Sequence, residues 1–353
     1  MKINSLILLL LLLSSCSVTL RHEEVPPTPV SHATLATPVT DASSGMVYAL
    51  PKTGLRFTIT AQKTEKKRGE FYLYSERYLG LKDVILEDAV EWEIKGITVT
   101  PFGLANADEM FQITSSSKHS VPLVQLSEDG VLLSVNSELP VTEHEETPAT
   151  VKPQDDFVVP YTEEMLLANS SAKMAQEAAN YIYRLRESRT ALLAADLNTL
   201  PPDGEAYAMS LDQINNLESQ FLSLFKGQEL VSCVTETIEV IPDEIKARDV
   251  LFRFSSFAGL VAPDDLSGSP VFITMEKGDM PSLNLASADS TGIFYKLPAP
   301  VQVKVFDGST EVLSQNILMG QFGELQALSP YLLNDDVKIQ FYPTTGAIKA
   351  ISK

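Results

Sequence analysis

The sequence is poor in the residue types that carry most enzyme chemistry. Its 353 residues include two cysteines, four histidines and one tryptophan. Two thiols, Cys16 and Cys233, cannot build a disulfide framework, and none is left for Cys233 once Cys16 is modified. The histidines fall where little would hold them: His22 and His32 in a polar N-terminal stretch, His119 in the run Ser115–Ser120, and His144 among acids. A Ser-His-Asp triad or a multi-histidine zinc site needs rings fixed by neighbours. That leaves His119 as the one candidate, with a solvated loop as its expected setting. No His-Glu-x-x-His pair, phosphate-cradling glycine loop or dinucleotide fingerprint occurs. No metal or other cofactor is expected. Basic charge is also scarce, with 27 Lys and Arg against 46 Asp and Glu and a formal charge of −19. Such a surface repels phosphates, which argues against nucleic acid and against direct docking on anionic lipid.

Beyond one stretch near the start, no apolar run is long enough to suggest a membrane span. That stretch, Leu6 to Leu13 behind Lys2, has the length of a secretory h-region and is too short to cross a bilayer. Leu13-Ser14-Ser15-Cys16 follows it and resembles the lipobox of bacterial lipoproteins. The resemblance implies a signal peptide over 1–15, cleavage before Cys16 and acylation of that cysteine. Cleavage removes Lys2 and no acid, moving the formal charge from −19 to −20. At about 0.8 kcal/mol per buried methylene, several acyl chains hold far better than one. Residues 17–45 are polar and contain Pro26, Pro27, Pro29 and Pro38, which reads as a disordered tether with a root-mean-square reach of about 30 Å. Ser17 in place of Asp after the cysteine favours the outer membrane by analogy with Gram-negative lipoproteins. Glu23 and Glu24 lie too far from Cys16 to resemble a surface-export patch, so the periplasmic face is expected.

The rest of the chain, rich enough in apolar residues for sizeable cores, reads as β, then helical, then β. From 46 to 136 the pattern alternates with period two, as in Leu55-Arg56-Phe57-Thr58-Ile59-Thr60, which means half-buried strands. Val121–Leu126 and Val131–Asn136 flank Gly130 as a hairpin, and Tyr72–Leu79 leans to helix. Residues 137–160 collect acids and prolines and read as a linker. Over 161–228 the chain reads as an antiparallel helical hairpin. Thr162 caps its start, Asn169-Ser170-Ser171 interrupts it, and Ala175, Ala178, Ile182, Leu185, Arg189 and Leu192 share one face. The first helix is expected to end near Asp196, and Ser210 with Gln213 to form a capping box for a second helix closed by Gly227. Strand signals return over 229–353 in Val231–Ile241, Val250–Phe254, Val271–Met275, Val301–Phe306, Val312–Leu318 and Val337–Phe341. Asp307-Gly308-Ser309 and Thr344-Thr345-Gly346 are the expected hairpin tips. The expected fold is α+β, mostly antiparallel β, with two β-sandwich-like regions separated by the helical hairpin. Whether those regions form one packed unit or two domains stays open.

Four segments together carry a family likeness: Tyr48-Ala49-Leu50-Pro51-Lys52-Thr53, Tyr72 to Gly80, Ile182 to Arg189, and Gln321-Phe322-Gly323. In combination the chain resembles the domain-of-unknown-function 4831 family, lipoprotein-like proteins of Bacteroidota. The resemblance implies an envelope address and brings no activity, ligand or catalytic residue.

The remaining chemistry-bearing residues are weighed by environment. Cys233, in the alternating run Val231-Ser232-Cys233-Val234, is expected to pack in the core. Asp264-Asp265 and Asp335-Asp336 sit in turn-like segments without the EF-hand spacing, and Trp92 is expected in the core rather than stacked on sugar. Arg189 interrupts an apolar stripe and needs a partner. With Arg184, Arg186 and Glu187 it forms either an anion-binding surface or an ion-pair network bridging the helices and a β region, the second being expected. Two functional readings follow. One is a non-enzymatic envelope module that binds a protein or glycan; the other is a hydrolase using paired carboxylates on carbohydrate.

Overall fold

A computed structural model describes residues 30–33, 45–114, 123–137, 159, 161–194, 204–280, 292–328 and 337–353. It is an α+β fold with antiparallel sheets and one helical hairpin. In chain order the strands are β1 (Val30–Ala33), β2 (Gly45–Lys67), β3 (Ala89–Thr114), β4 (Val124–Leu126), β5 (Leu132–Val135), β6 (Gln228–Val240), β7 (Asp249–Ser255), β8 (Gly259–Val261), β9 (Ser269–Lys277), β10 (Ile293–Asp307), β11 (Thr310–Leu328), β12 (Lys338–Phe341) and β13 (Ile348–Ser352). The helices are α1 (Ser75–Leu79), α2 (Glu163–Leu166), α3 (Ser171–Leu193) and α4 (Gly204–Lys226).

The strands form three sheets, ordered β1-β3-β2-β6, β11-β10-β9-β7-β8 and β13-β12-β5-β4. Two of these settle the question of one unit or two. β6, from beyond the helical hairpin, pairs with β2 along its whole length, and β12 pairs with β5. Strands from both sides of the hairpin therefore share sheets.

Two sandwich-like cores result, strung along the same long strands. In the first, Leu55, Phe57 and Ile59 of β2 meet Val271 and Ile273 of β9 and Val303 of β10. In the second, Tyr48 and Phe111 from the other ends of β2 and β3 meet Val135, Ile293, Ile339 and Phe341. The long strands pass from one core to the other by breaking register. Ala49 pairs with Met110 and Pro51 with Ala105, so residues 106–109 of β3 loop out against one residue of β2. The break recurs where Leu297 pairs with Glu324 and Ala299 with Met319, looping out 320–323 of β11. A proline sits at each break, Pro51 and Pro298, where a missing N–H interrupts the ladder.

A third, helical core is built by Ala175, Ala178 and Ile182 of α3, Phe221 and Phe225 of α4, and Phe71 from the connector between β2 and β3. Thr162 accepts from the Met165 N–H, so α2 begins at its expected cap, and at the expected interruption Ser170 accepts from the Lys173 N–H and caps α3. α3 ends at Leu193. Gly227, at φ 87°, turns α4 into β6; a Cβ there would lie 2.6 Å from the Lys67 carbonyl oxygen.

The hairpin tips fall as expected, with Gly130, Gly308 and Gly346 all at positive φ, and Tyr72–Leu79 is helical, a 3-10 turn running into α1. Two expectations are overturned. Ser210 and Gln213 are not a capping box: α4 already starts at Gly204, and the Ser210 hydroxyl donates to the Ala206 carbonyl 2.8 Å away inside the helix. The stretch 17–45 is not wholly irregular, because Val30–Ala33 pairs antiparallel with Ile113–Met110 at the edge of β3.

Candidate functional site

The arginine cluster sits on the helical hairpin. Arg186 and Arg189 are one turn apart on α3, and both reach Glu218 of α4. The Arg186 Nε donates to Oε1 at 2.7 Å, and an Arg189 guanidinium nitrogen donates to Oε2 at 2.6 Å and to the Asn215 side chain at 3.3 Å. Glu218 is only 6% exposed, whereas both arginine side chains keep about a third of their surface in water. The buried group is thus the carboxylate, and both its oxygens are gripped. The network ties helix to helix, not helices to a β region, because α4 rather than a strand covers this face. Arg184 points elsewhere, 4.0 Å from Glu164, and Glu187 is exposed. The four residues do not converge on one anion site.

A larger set of polar contacts lies at the junction of the two β cores. Lys296 of β10 is 4% exposed, and its ammonium meets Glu109, in the looped-out part of β3, at 2.5 Å. The other Glu109 oxygen accepts from Asn106. Across the junction the Thr53 N–H donates to Gln321, whose amide donates back to the Thr53 and Pro242 carbonyls. The Thr53 hydroxyl donates to the Thr344 carbonyl and accepts from the Gly320 N–H. This node stitches β2, β11, the β6–β7 connection and the β12–β13 turn. Neither Lys296 nor Glu109 carries a local sequence signal, since each is read as an ordinary exposed strand residue until the other is known to face it.

Two open grooves lie among the described residues. One, of about 340 Å³, is lined by Pro242, Asp243, Glu244, Lys246, Asp249 and Met275 among others. Its charges are largely paired: Lys52 with Asp243 at 2.7 Å and Lys246 with Asp249 at 2.9 Å. The Asp243 contact raises the Lys52 pKa, and the Lys246 hydrogen bond holds Asp249 below the ordinary carboxylate range. The other groove, of about 600 Å³, lies between Ile85, Leu86, Lys226 and Glu229.

Cys233 is exposed, against expectation: it sits in β6, an edge strand whose residues 233–237 are open on both faces, so alternation there does not mean burial. Trp92 is half-buried against Gly259, with the Lys63 ammonium 5.8 Å from its ring centre. Asp265 accepts from the Ser267 N–H within its own turn, which lowers its pKa. Cys16, His22, His119, His144 and Asp335-Asp336 lie outside the described residues. Among the described residues no three His, Cys, Asp or Glu side chains converge as a metal site.

A model of the family described as domain of unknown function (DUF4831) matches residues 44–349, most of the chain. The chain belongs to the DUF4831 family. No curated protein and no solved structure matches it. The segments that carry the DUF4831 likeness meet in pairs in space. Thr53 and Gln321 join in the junction node. Tyr183 of the third segment donates to the Tyr78 carbonyl of the second, and Ser75 donates to the Phe225 carbonyl. Gly323 belongs to this pattern, since a Cβ there would overlap the Leu297 carbonyl. In this DUF4831 chain those segments are points where distant elements are fastened together. Among the described residues no helix is long and apolar enough to cross a membrane.

Proposed function

We propose that the protein is a non-enzymatic module of the bacterial cell envelope, anchored by lipid on Cys16 and working by binding or assembly. The observation that supports this most is the engagement of its buried charges and family-bearing segments in fold contacts. Glu218, Lys296 and Gln321 are each held by partners within the chain. Among the described residues, what these contacts leave free is open surface, above all sheet faces and edges. The anchor reading rests on Leu13-Ser14-Ser15-Cys16, and the outer membrane facing the periplasm is the proposed site. Because β1 docks on β3, the proposed tether ends at Val30 rather than at residue 45. The body then stands closer to the lipid than a tether ending at residue 45 allows.

The alternative, a carbohydrate hydrolase using paired carboxylates, draws on the groove that holds Asp243, Glu244 and Asp249. A general acid needs a carboxyl whose pKa is raised. Asp249 is shifted the other way, and Asp243 is paired with Lys52. Binding is the reading the groove fits better.

Growth with an alkyne analogue of palmitate tests the anchor. The protein is expected to take up the label and fractionate with membranes, and Cys16→Ala to abolish both. Unlabelled, freely soluble wild-type protein would refute it.

A further inference from the structure

Every open sheet must manage its edges, because an uncovered edge offers a row of unpaired N–H and C=O groups. Of the six edge strands among the described residues, β1, β4, β8 and β13 have five residues or fewer, and the part of β3 that β1 leaves uncovered carries Lys95 and Pro101. β11 is long but broken twice in register against β10. β6 differs from all of these. It has 13 residues, pairs with β2 from Leu55↔Val240 to Lys67↔Gln228 without a register shift, and contains no Lys, Arg or Pro. Among the described residues no strand pairs with its outer side. At its centre Cys233 to Thr237 are exposed in succession, with Val234 at 36% and Val231 at 44%.

The charge on this edge has one sign. Glu229, Glu236 and Glu239 are exposed along β6, and Asp243 and Glu244 follow directly. Arg56 answers Glu239 at 2.9 Å and Lys52 answers Asp243, but Glu236 has no ion pair among the described residues. A second copy of the chain is a poor occupant. Antiparallel self-pairing about Val234 sets Glu229 opposite Glu239, and like charges directly opposite are destabilising. Two bodies with a formal charge near −20 also repel as they approach.

We propose that β6 is a docking edge that takes an extended, Lys- or Arg-bearing segment of a partner protein as an added strand. The backbone ladder supplies the main attraction, Val231 and Val234 offer apolar contact, and the glutamates select positive charge. Because successive β6 side chains alternate in direction, Glu239 lies on the outer face and Glu236 on the face toward the neighbouring sheet. The favoured segment carries basic residues on both of its faces. The proposal rests on the binding-module reading and names its surface.

The probe is a fluorescent nine-residue peptide alternating Val and Thr with three lysines, compared with the same peptide carrying three glutamates. Anisotropy at low salt is expected to show binding of the lysine peptide only. Glu236→Lys should weaken it about fivefold and raised salt should weaken it further, as expected of solvent-exposed ion pairs. Consecutive N–H groups of a strand point to opposite sides, so of Val234→Pro and Thr235→Pro one spares the β2 ladder. That variant, identified by an unchanged melting point, should lose binding altogether. Equal binding of both peptides, no binding of either, undiminished binding by the ladder-sparing proline variant, or a β6-dependent dimer in sedimentation would each overturn the proposal. If palmitate labelling and a partner captured in cells persist in Glu236→Lys, the docking edge fails while the module reading stands.

Discussion

The pair Lys296 and Glu109 makes the junction between the two β cores measurable. Lys296 is almost wholly buried, while about a quarter of the Glu109 side chain reaches water. The two truncations should therefore be unequal. Glu109→Ala leaves a buried ammonium with no counter-charge, and breaking a buried pair costs about 3–5 kcal/mol. Because Glu109 sits at the wetter end, the lower figure, about 3 kcal/mol, applies. Lys296→Met leaves a carboxylate that still accepts from Asn106 and can take up water, so its cost should be about 1 kcal/mol. The double variant Glu109→Ala with Lys296→Met removes both charges and should lie within about 1 kcal/mol of the wild type, giving a coupling energy of about 3 kcal/mol. Urea denaturation followed by tryptophan and tyrosine fluorescence reads all four corners of the cycle. If Lys296→Met costs more than Glu109→Ala, or if the two effects simply add, the buried pair is not what fastens the junction.

Three further outcomes follow from the geometry. Arg189→Ala should cost about 1–2 kcal/mol, since Arg186 still holds Glu218; removing both arginines leaves the buried carboxylate alone and should cost about 3 kcal/mol or more by denaturation. Gly320→Ala places a Cβ 2.5 Å from the Thr345 carbonyl oxygen and should destabilise the chain through the junction by an amount typical of overpacking, about 1–3 kcal/mol by urea denaturation. The Tyr161 phenol donates to Glu70, which raises its pKa from 10.0 to about 12. The folded state thus keeps this proton longer than the unfolded state does. Its contribution is complete below pH 10 and is lost as pH rises towards 12, so Tyr161→Phe should flatten the stability profile in that window.

Much of the fold was legible because its signals are local. Period-two runs marked the strands, Gly130, Gly308 and Gly346 marked the tips, Thr162 marked a helix start, and Asn169-Ser170-Ser171 marked the break between α2 and α3. Pairing between distant strands was not legible. Arg56 lies opposite Glu239, and nothing within either segment names the other. The same holds for Lys296, whose burial makes sense only beside Glu109. Cys233 was misread because alternation records burial only where both flanks of a strand are covered, and β6 is an edge. Ser210 and Gln213 were misread because the Ser-x-x-Gln spacing also occurs inside helices, where the hydroxyl donates back along the helix. Arg189 was legible for a physical reason: a cation within an apolar stripe requires a counter-charge, although the sequence could not say that Glu218 would supply it. The family-bearing segments were visible as words, and only the fold shows that Thr53 and Gln321 fasten the same joint.

The central claim is that this protein acts by holding a partner at the envelope. Crosslinking in living cells, followed by identification of what is captured, tests it most directly, with Cys16→Ala as the comparison. The account predicts one recurrent envelope protein, captured by the anchored form and lost when the anchor is removed. If nothing recurrent is captured, or the same capture survives Cys16→Ala undiminished, an anchored binding module is the wrong description.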